Sequence, residues 1–139
     1  MIIKVMRMNS DAIVPSKKSK DDAAWDIYAS KDTVIINGKS GIVETGIAIE
    51  YPEGFWGQIE GRSGLASRGI FPVGGIIDNG YRGEHKIIMI NLSGEDYVVS
   101  KGDRIAQLVL RKHFHGDMVE VSELSETTRG TNGFGSSGK

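Results

Sequence analysis

The chain has 139 residues, enough for one domain with a core of its own. Its 17 basic and 18 acidic residues nearly cancel, to a net charge of −1, so there is no broad basic field to hold long nucleic acid. The absence of cysteine excludes disulfides, cysteine-held zinc and a thiol nucleophile.

The opening "MIIKVMRMNS" alternates like a strand and lacks the apolar run of a signal peptide. No stretch approaches membrane-spanning length, so no membrane partner and a cytoplasmic or other intracellular location are expected, with no signal or transit peptide. Short strand patterns then recur about every ten residues with turn signals between them. "TVIIN" and "GIVETG" flank an Asn37-Gly38 turn, and "IAIEY" and "FWGQIE" flank Pro52-Glu53-Gly54. One helical turn is predicted near "SGLASR". Further strands are expected at "KIIMINL", "DYVVS", "RIAQLVL" and "MVEV". There is no internal repeat and no linker. The fold class is all-β, with at most one short helix, and a jelly roll or distorted β-barrel closes the edges of such sheets most economically. "KIIMINL" is apolar on both faces. It is therefore either a central core strand or a strand whose second face is covered by another subunit.

Four internal stretches depart from ordinary strand or turn patterns. In "AAWDIYAS", alternation sets Asp26 on one face with Ala24 and Tyr28; taken alone, this is a charged residue at a strand edge. In "EGRSGLAS", a guanidinium (Arg62), a hydroxyl (Ser63) and a glycine (Gly64) open a tight segment before the helical turn. These groups can cradle a phosphate, although Ser-Gly is also a common turn. In "GGIIDNGYRGE", Asp78 is either a turn residue or a carboxylate held at a strand end to take a proton from water. Tyr81 follows three residues later and alone suggests packing. In "GDRIAQLVL", Ile105, Gln107 and Val109 share a face, so Gln107 needs a backbone or ligand partner if buried. The end, "RGTNGFGSSGK", is too rich in glycine and serine to fold by itself, yet it carries Arg129 and Phe134.

In this order, "AAWDIYA", "RSGLA", "D-x-x-YRGE", "GDRIAQ" and "RG-x-x-GFGS-x-G" resemble the five motif segments of the homotrimeric dUTPases (deoxyuridine triphosphate nucleotidohydrolases). The resemblance runs from Ala23 to the C-terminus. It implies hydrolysis of dUTP to dUMP and pyrophosphate with Mg²⁺, limiting uracil entry into DNA and supplying dUMP for thymidylate synthesis. It also implies a homotrimer with three sites at subunit boundaries. Residues 1–124 would form the β-barrel catalytic domain, and residues 125–139 a flexible lid closing a site built by the other two subunits. Asp78 matches the carboxylate that orients water toward the α-phosphorus and also contacts the sugar 3′-hydroxyl. Tyr81 would pack on deoxyribose and leave no room for a 2′-hydroxyl. The backbone of Val73, Gly74, Gly75 and Ile76 would pair with the uracil edge. Arg62, Ser63, Gly64 and Gln107 match phosphate-contacting positions. Arg129 would pair with the terminal phosphate, Phe134 would stack on uracil, and Gly135 and Ser136 would add phosphate contacts. Asp26 matches the acid near the metal-bound triphosphate, acting directly or through water, with Mg²⁺ otherwise held by phosphates and waters.

The sequence departs from the family pattern at Ala24-Trp25, Asn132 and Ser137. Two other readings remain. A dCTP deaminase shares the fold but needs a glutamate where "KIIMINL" has no carboxylate, and a regulatory module could keep the fold without turnover. A second role in binding a regulatory protein is not readable in the chain.

Overall fold

The computed structural model describes residues 1–133. Eleven strands and one short helix are found among them. They are β1 (Lys4–Arg7), β2 (Trp25–Tyr28), β3 (Thr33–Ile35), β4 (Ser40–Val43), β5 (Ile47–Glu50) and β6 (Phe55–Glu60), then α1 (Ser63–Ala66). After the helix come β7 (Ile70–Val73), β8 (Ile76–Ile77), β9 (Ile87–Asn91), β10 (Tyr97–Val99) and β11 (Arg104–Lys112). Every ladder is antiparallel, in the orders β1-β5, β10-β3, β2-β11-β6-β8 and β4-β9-β7. The fold is all-β with short strands, as the alternating runs predict, and of the two expected closures it is a jelly roll. Among the described residues, no helix is long and apolar enough to cross a membrane.

The turns fall where glycine places them, but they do not close hairpins. Asn37-Gly38 joins β3 to β4, with Gly38 at φ 72° and Lys39 N–H donating to the Ile36 carbonyl at 3.1 Å. The two strands then part, β3 pairing with β10 and β4 with β9. The Pro52–Gly54 turn likewise sends β5 to β1 and β6 to β11. Each such turn carries the chain from one sheet to another, and buried residues of these strands meet in a common core.

That core is mostly Ile27, Ile35, Ile47, Ile49, Ile70, Ile87, Met89, Ile105 and Leu108, all essentially inaccessible to solvent. Full burial of each such side chain contributes about 1.5–3 kcal/mol. Asn91 is also fully buried. Its amide donates to the Ile35 and Glu95 carbonyls (both 2.8 Å) and its oxygen accepts from Ser93, so no polar group is stranded where β9 ends.

Three sequence expectations change. In β9, Ile87, Met89 and Asn91 point inward, whereas Ile88 and the following Leu92 are exposed. The strand is central in its sheet, but this chain covers only one of its faces. In β11, the ladder to β2 slips between Arg104 and Ala106. This bulge turns both Ile105 and Ala106 into the core, so Ile105 does not share a face with Gln107. "MVEV" forms no strand. Residues 113–132 are exposed throughout, and Met118 and Val119 find no neighbouring ladder within the described chain.

Candidate active site

Two clefts collect most of the residues singled out above. The first, about 300 Å³, lies beside the segment from β8 to β9. Gly74, at φ 66°, reverses the chain after β7, and Gly75 is pressed against β6, where a Cβ would collide with the Ile59 carbonyl. Ile59 N–H donates to the Gly75 carbonyl at 2.8 Å. Only glycine fits this close approach, and it delivers Ile76 and Ile77 to the edge of the four-stranded sheet. Asp78 follows at the strand end, exposed, and Tyr81 N–H closes the turn onto the Asp78 carbonyl at 3.1 Å. Ile42, Ile76 and Ile88 supply an apolar wall, Asp78 the carboxylate and Tyr81 a half-exposed ring. Its Tyr81 hydroxyl donates to the Glu84 carbonyl at 3.0 Å. Such a hollow suits a flat, weakly polar group beside a proton acceptor.

The turn is anchored from behind. The Asn79 amide reaches the carbonyls of Phe55 (2.7 Å), Pro52 (2.8 Å) and Tyr51 (3.3 Å). The Glu84 carboxylate accepts from the backbone N–H groups of Gly46 (2.8 Å) and Thr45 (3.1 Å). Buried between these anchors, His85 meets the Tyr51 hydroxyl at 2.9 Å. Burial lowers the His85 pKa below its ordinary value, opposed by the hydrogen bond to the Gly83 carbonyl, and burial pushes the Tyr51 hydroxyl up.

The second cleft, about 290 Å³, is charged and includes Asp22, Asp26, Arg62, Arg104, Gln107 and Lys18. Asp26 is nearly buried in β2, and each of its oxygens meets a guanidinium: Arg62 Nε at 3.4 Å and Arg104 Nη1 at 3.1 Å. Arg62 also donates from Nη1 to the Arg104 carbonyl at 2.9 Å. Gln107 lies directly across the ladder from Asp26. Arg62 ends its extended stretch just before α1, so Ser63 and Gly64 stand exposed at the cleft's edge. A Cβ on Gly64 would meet nothing within 4 Å, so packing inside this chain does not require glycine there. Two fixed guanidiniums and an amide suit a polyanion.

The clefts are separate. Asp26 and β8 stand three strand spacings apart in one sheet, about 14 Å. On the shared strand β6, Ile77 is level with Gly57 and Gln107 with Glu60, roughly 10 Å further along. Arg129 lines neither cleft; it sits in an exposed turn, donating from Nε to the Asn132 carbonyl at 3.0 Å. Phe134, Gly135 and Ser136 lie outside the described residues.

Several site residues escaped the sequence patterns. Arg104 and Gln107 are three apart, on opposite faces of an unbroken strand, and only the bulge brings them to one cleft. Lys18 belongs to a loop pinned by Asp22, whose carboxylate accepts from the N–H groups of Lys18 (2.9 Å) and Ser19 (3.0 Å). The Lys17 ammonium covers the Trp25 ring at 4.0 Å, which gives the large side chain at position 25 a local role.

The dUTPase family model matches residues 10–138. The deoxyuridine 5'-triphosphate nucleotidohydrolase of Nautilia profundicola is 39% identical over 142 residues, covering 100% of both chains. The dUTPase of Staphylococcus bacteriophage 80alpha, solved with dUPNHPP, superposes with a TM-score of 0.90 at 29% identity over 99% of both chains. A variant dUTPase from phage phi11 of S. aureus, whose structure is described as revealing the coordination of a structural Mg(II) ion, has a TM-score of 0.81 at 25% identity. That match covers 88% of this chain and 98% of the other.

Proposed function

The chain belongs to the dUTPase family and is a dUTP diphosphatase, and from that premise we propose that its two clefts are complementary halves of one site, joined between subunits of a homotrimer. The first cleft takes the deoxyuridine of one substrate molecule. The second takes the triphosphate of another, and each is completed by the other half on a neighbouring subunit. The observation that carries this reading is the separation of Asp78 and Tyr81 from Arg62 and Gln107 on one chain. The uncovered apolar side chains Ile42, Ile76 and Ile88 around the first cleft support it.

In this reading the Asp78 carboxylate accepts a proton from water as that water attacks the α-phosphorus, and dUMP and pyrophosphate leave. Val73, Gly74, Gly75 and Ile76 present backbone to the uracil edge. The Tyr81 ring fills the space a 2′-hydroxyl would need. Arg62, Ser63, Gly64 and Gln107 hold the phosphates, and the open side of Gly64 lets an oxygen approach its backbone. The segment from residue 125 to 139 closes the site of neighbouring subunits, with Arg129 on the terminal phosphate, Phe134 on the base, and Gly135 and Ser136 on phosphate oxygens.

Mg²⁺ fits this donor set as an ion held by the substrate. Among the described residues no three His, Asp or Glu side chains converge, and the Asp26 oxygens already face Arg62 and Arg104. Asp26 would reach the ion through water, and the ion would offset charge on the phosphates. The reaction draws on an intracellular nucleotide pool, limiting uracil in DNA and supplying dUMP for thymidylate synthesis.

The test is pyrophosphate release from dUTP, UTP, dCTP and dTTP, with and without Mg²⁺. Metal-dependent turnover confined largely to dUTP is expected. Ammonia release from dCTP, or no turnover of any of the four, would overturn the reading.

A further inference from the structure

The Tyr51–His85 pair lies behind the first cleft. Its hydrogen bonds have one consistent arrangement. The Gly83 carbonyl, 3.3 Å from His85 Nδ1, can only accept, so Nδ1 carries the proton. Nε2 of the neutral ring is then a bare acceptor, and the Tyr51 hydroxyl, 2.9 Å away, donates to it. Both ring nitrogens are thereby satisfied in a residue that is 1% exposed. The hydroxyl end of Tyr51 has a seat because position 57 is glycine; a Cβ there would collide with it. At its other end, the Tyr51 carbonyl takes part in the Asn79 clamp.

Gly83 links this pair to the cleft. The Tyr81 hydroxyl lies directly over Gly83, where a Cβ would strike it, and it donates to the next carbonyl along, that of Glu84. The Tyr81 and His85 rings are 5.7 Å apart at 47°, and the Tyr51 and His85 rings 5.8 Å apart at 51°. The path is continuous: Tyr51 hydroxyl to His85, His85 to the Gly83 carbonyl, Gly83 to the underside of Tyr81. Asn79 holds the same backbone on the Asp78 side.

We propose that Tyr51 and His85 are positioning residues for sugar discrimination, setting through Gly83 the depth at which the Tyr81 ring closes the nucleoside cleft. The proposal rests on the role given above to Tyr81. Residues 84 and 85 keep their bonds to Thr45, Gly46 and Ile47, but without the pair Gly83 loses its bond to the imidazole and a buried polar group loses its partner, so the ring above Gly83 can recede and admit a larger sugar.

The experiment compares kcat/KM for dUTP and UTP in the full-length enzyme and in Tyr51→Phe, His85→Phe, His85→Gln and Tyr81→Ala. Tyr51→Phe and His85→Phe should narrow the dUTP preference by at least about tenfold, the scale of a misplaced positioning contact. The change should come from improved KM for UTP as well as reduced kcat for dUTP. His85→Gln, whose amide oxygen can accept from Tyr51, should keep most of the preference. If Tyr81→Ala narrows the ratio while folded Tyr51→Phe and His85→Phe stay within about twofold of the parent, the proposal is wrong and the role of Tyr81 stands. If Tyr81→Ala also leaves the ratio unchanged, both are wrong. Should His85→Phe not fold, Tyr51→Phe decides alone, since it removes a single hydroxyl.

Discussion

The two clefts are held in shape by different forces. Around Asp78 and Tyr81 the supports are mainly neutral hydrogen bonds to backbone (Asn79 to three carbonyls, His85 between Tyr51 and Gly83, and Thr45 hydroxyl to the His85 carbonyl at 2.9 Å), with the Glu84 carboxylate as an ionised anchor beside them. Around Asp26 the supports are ions, a nearly buried carboxylate between two guanidiniums that are 26% and 34% exposed. Neutral buried bonds fix shape and are insensitive to salt. An ion cluster open to solvent attracts charge at a distance and weakens as salt rises. On the proposed reading, one half discriminates and the other attracts.

Exchanging the two halves between subunits tests the comparison most severely. Asp78→Asn should lower kcat on the order of 10²–10⁴-fold, the usual contribution of a general base, while dUTP still binds. Arg62→Gln should instead raise KM about 10–100-fold, the worth of one charge-assisted hydrogen bond. Mixing the two impaired proteins under subunit exchange, assayed at dUTP well below the raised KM, should restore activity, because some boundaries then pair an intact Asp78 cleft with an intact Arg62 cleft. Recovery absent after proven exchange would mean that both clefts of one chain serve the same site.

Tyr81→Ala should narrow the kcat/KM preference for dUTP over UTP by about 10–100-fold, the range in which a pocket senses an added group. Raising KCl from 0.05 to 0.5 M should raise KM several-fold in the parent, and markedly less in Arg62→Gln. The smallest expected effect is thermal. The His85 pKa is lowered in the folded state, so above its ordinary value near 6.5 the ring is neutral both folded and unfolded. As the pH falls below that value, the unfolded chain takes up a proton that the folded chain resists. The stability associated with neutral His85 is then progressively lost toward the lower folded pKa. Tm should therefore drop from pH 7.5 to 5.5, and by less in His85→Gln, as calorimetry would show.

The half that acts through shape was the harder one to read in the sequence. Asp78, Tyr81, Arg62, Gln107 and Asp26 stand in short motifs, and the strand periods placed most strands, though not their pairing. Tyr51 and His85 are 34 residues apart, and either alone looks like an ordinary core or surface residue; only the fold makes them a pair. Arg104 was hidden for a different reason, since a one-residue bulge inverts the alternation from which its face would be inferred. "MVEV" misled in the opposite direction. Alternation describes which side a side chain would take in a ladder, but a strand also needs a partner, and residues 118–121 have none in the described chain.

The pairing of β2 with β11 also governs when the charged cleft exists. Asp26 emerges early during synthesis, but Arg104 and Gln107 lie in the last strand, 78 residues after Asp26 in the case of Arg104. β11 is inserted between β2 and β6, so until it docks these two strands have no common neighbour and the sheet has a gap at its centre. A chain without β11 keeps Asp26 but lacks Arg104 and Gln107, so it has no complete charged cleft. Closing so long a loop is slow compared with local turn formation. The charged cleft therefore cannot be complete before β11, the last strand among the described residues, has docked.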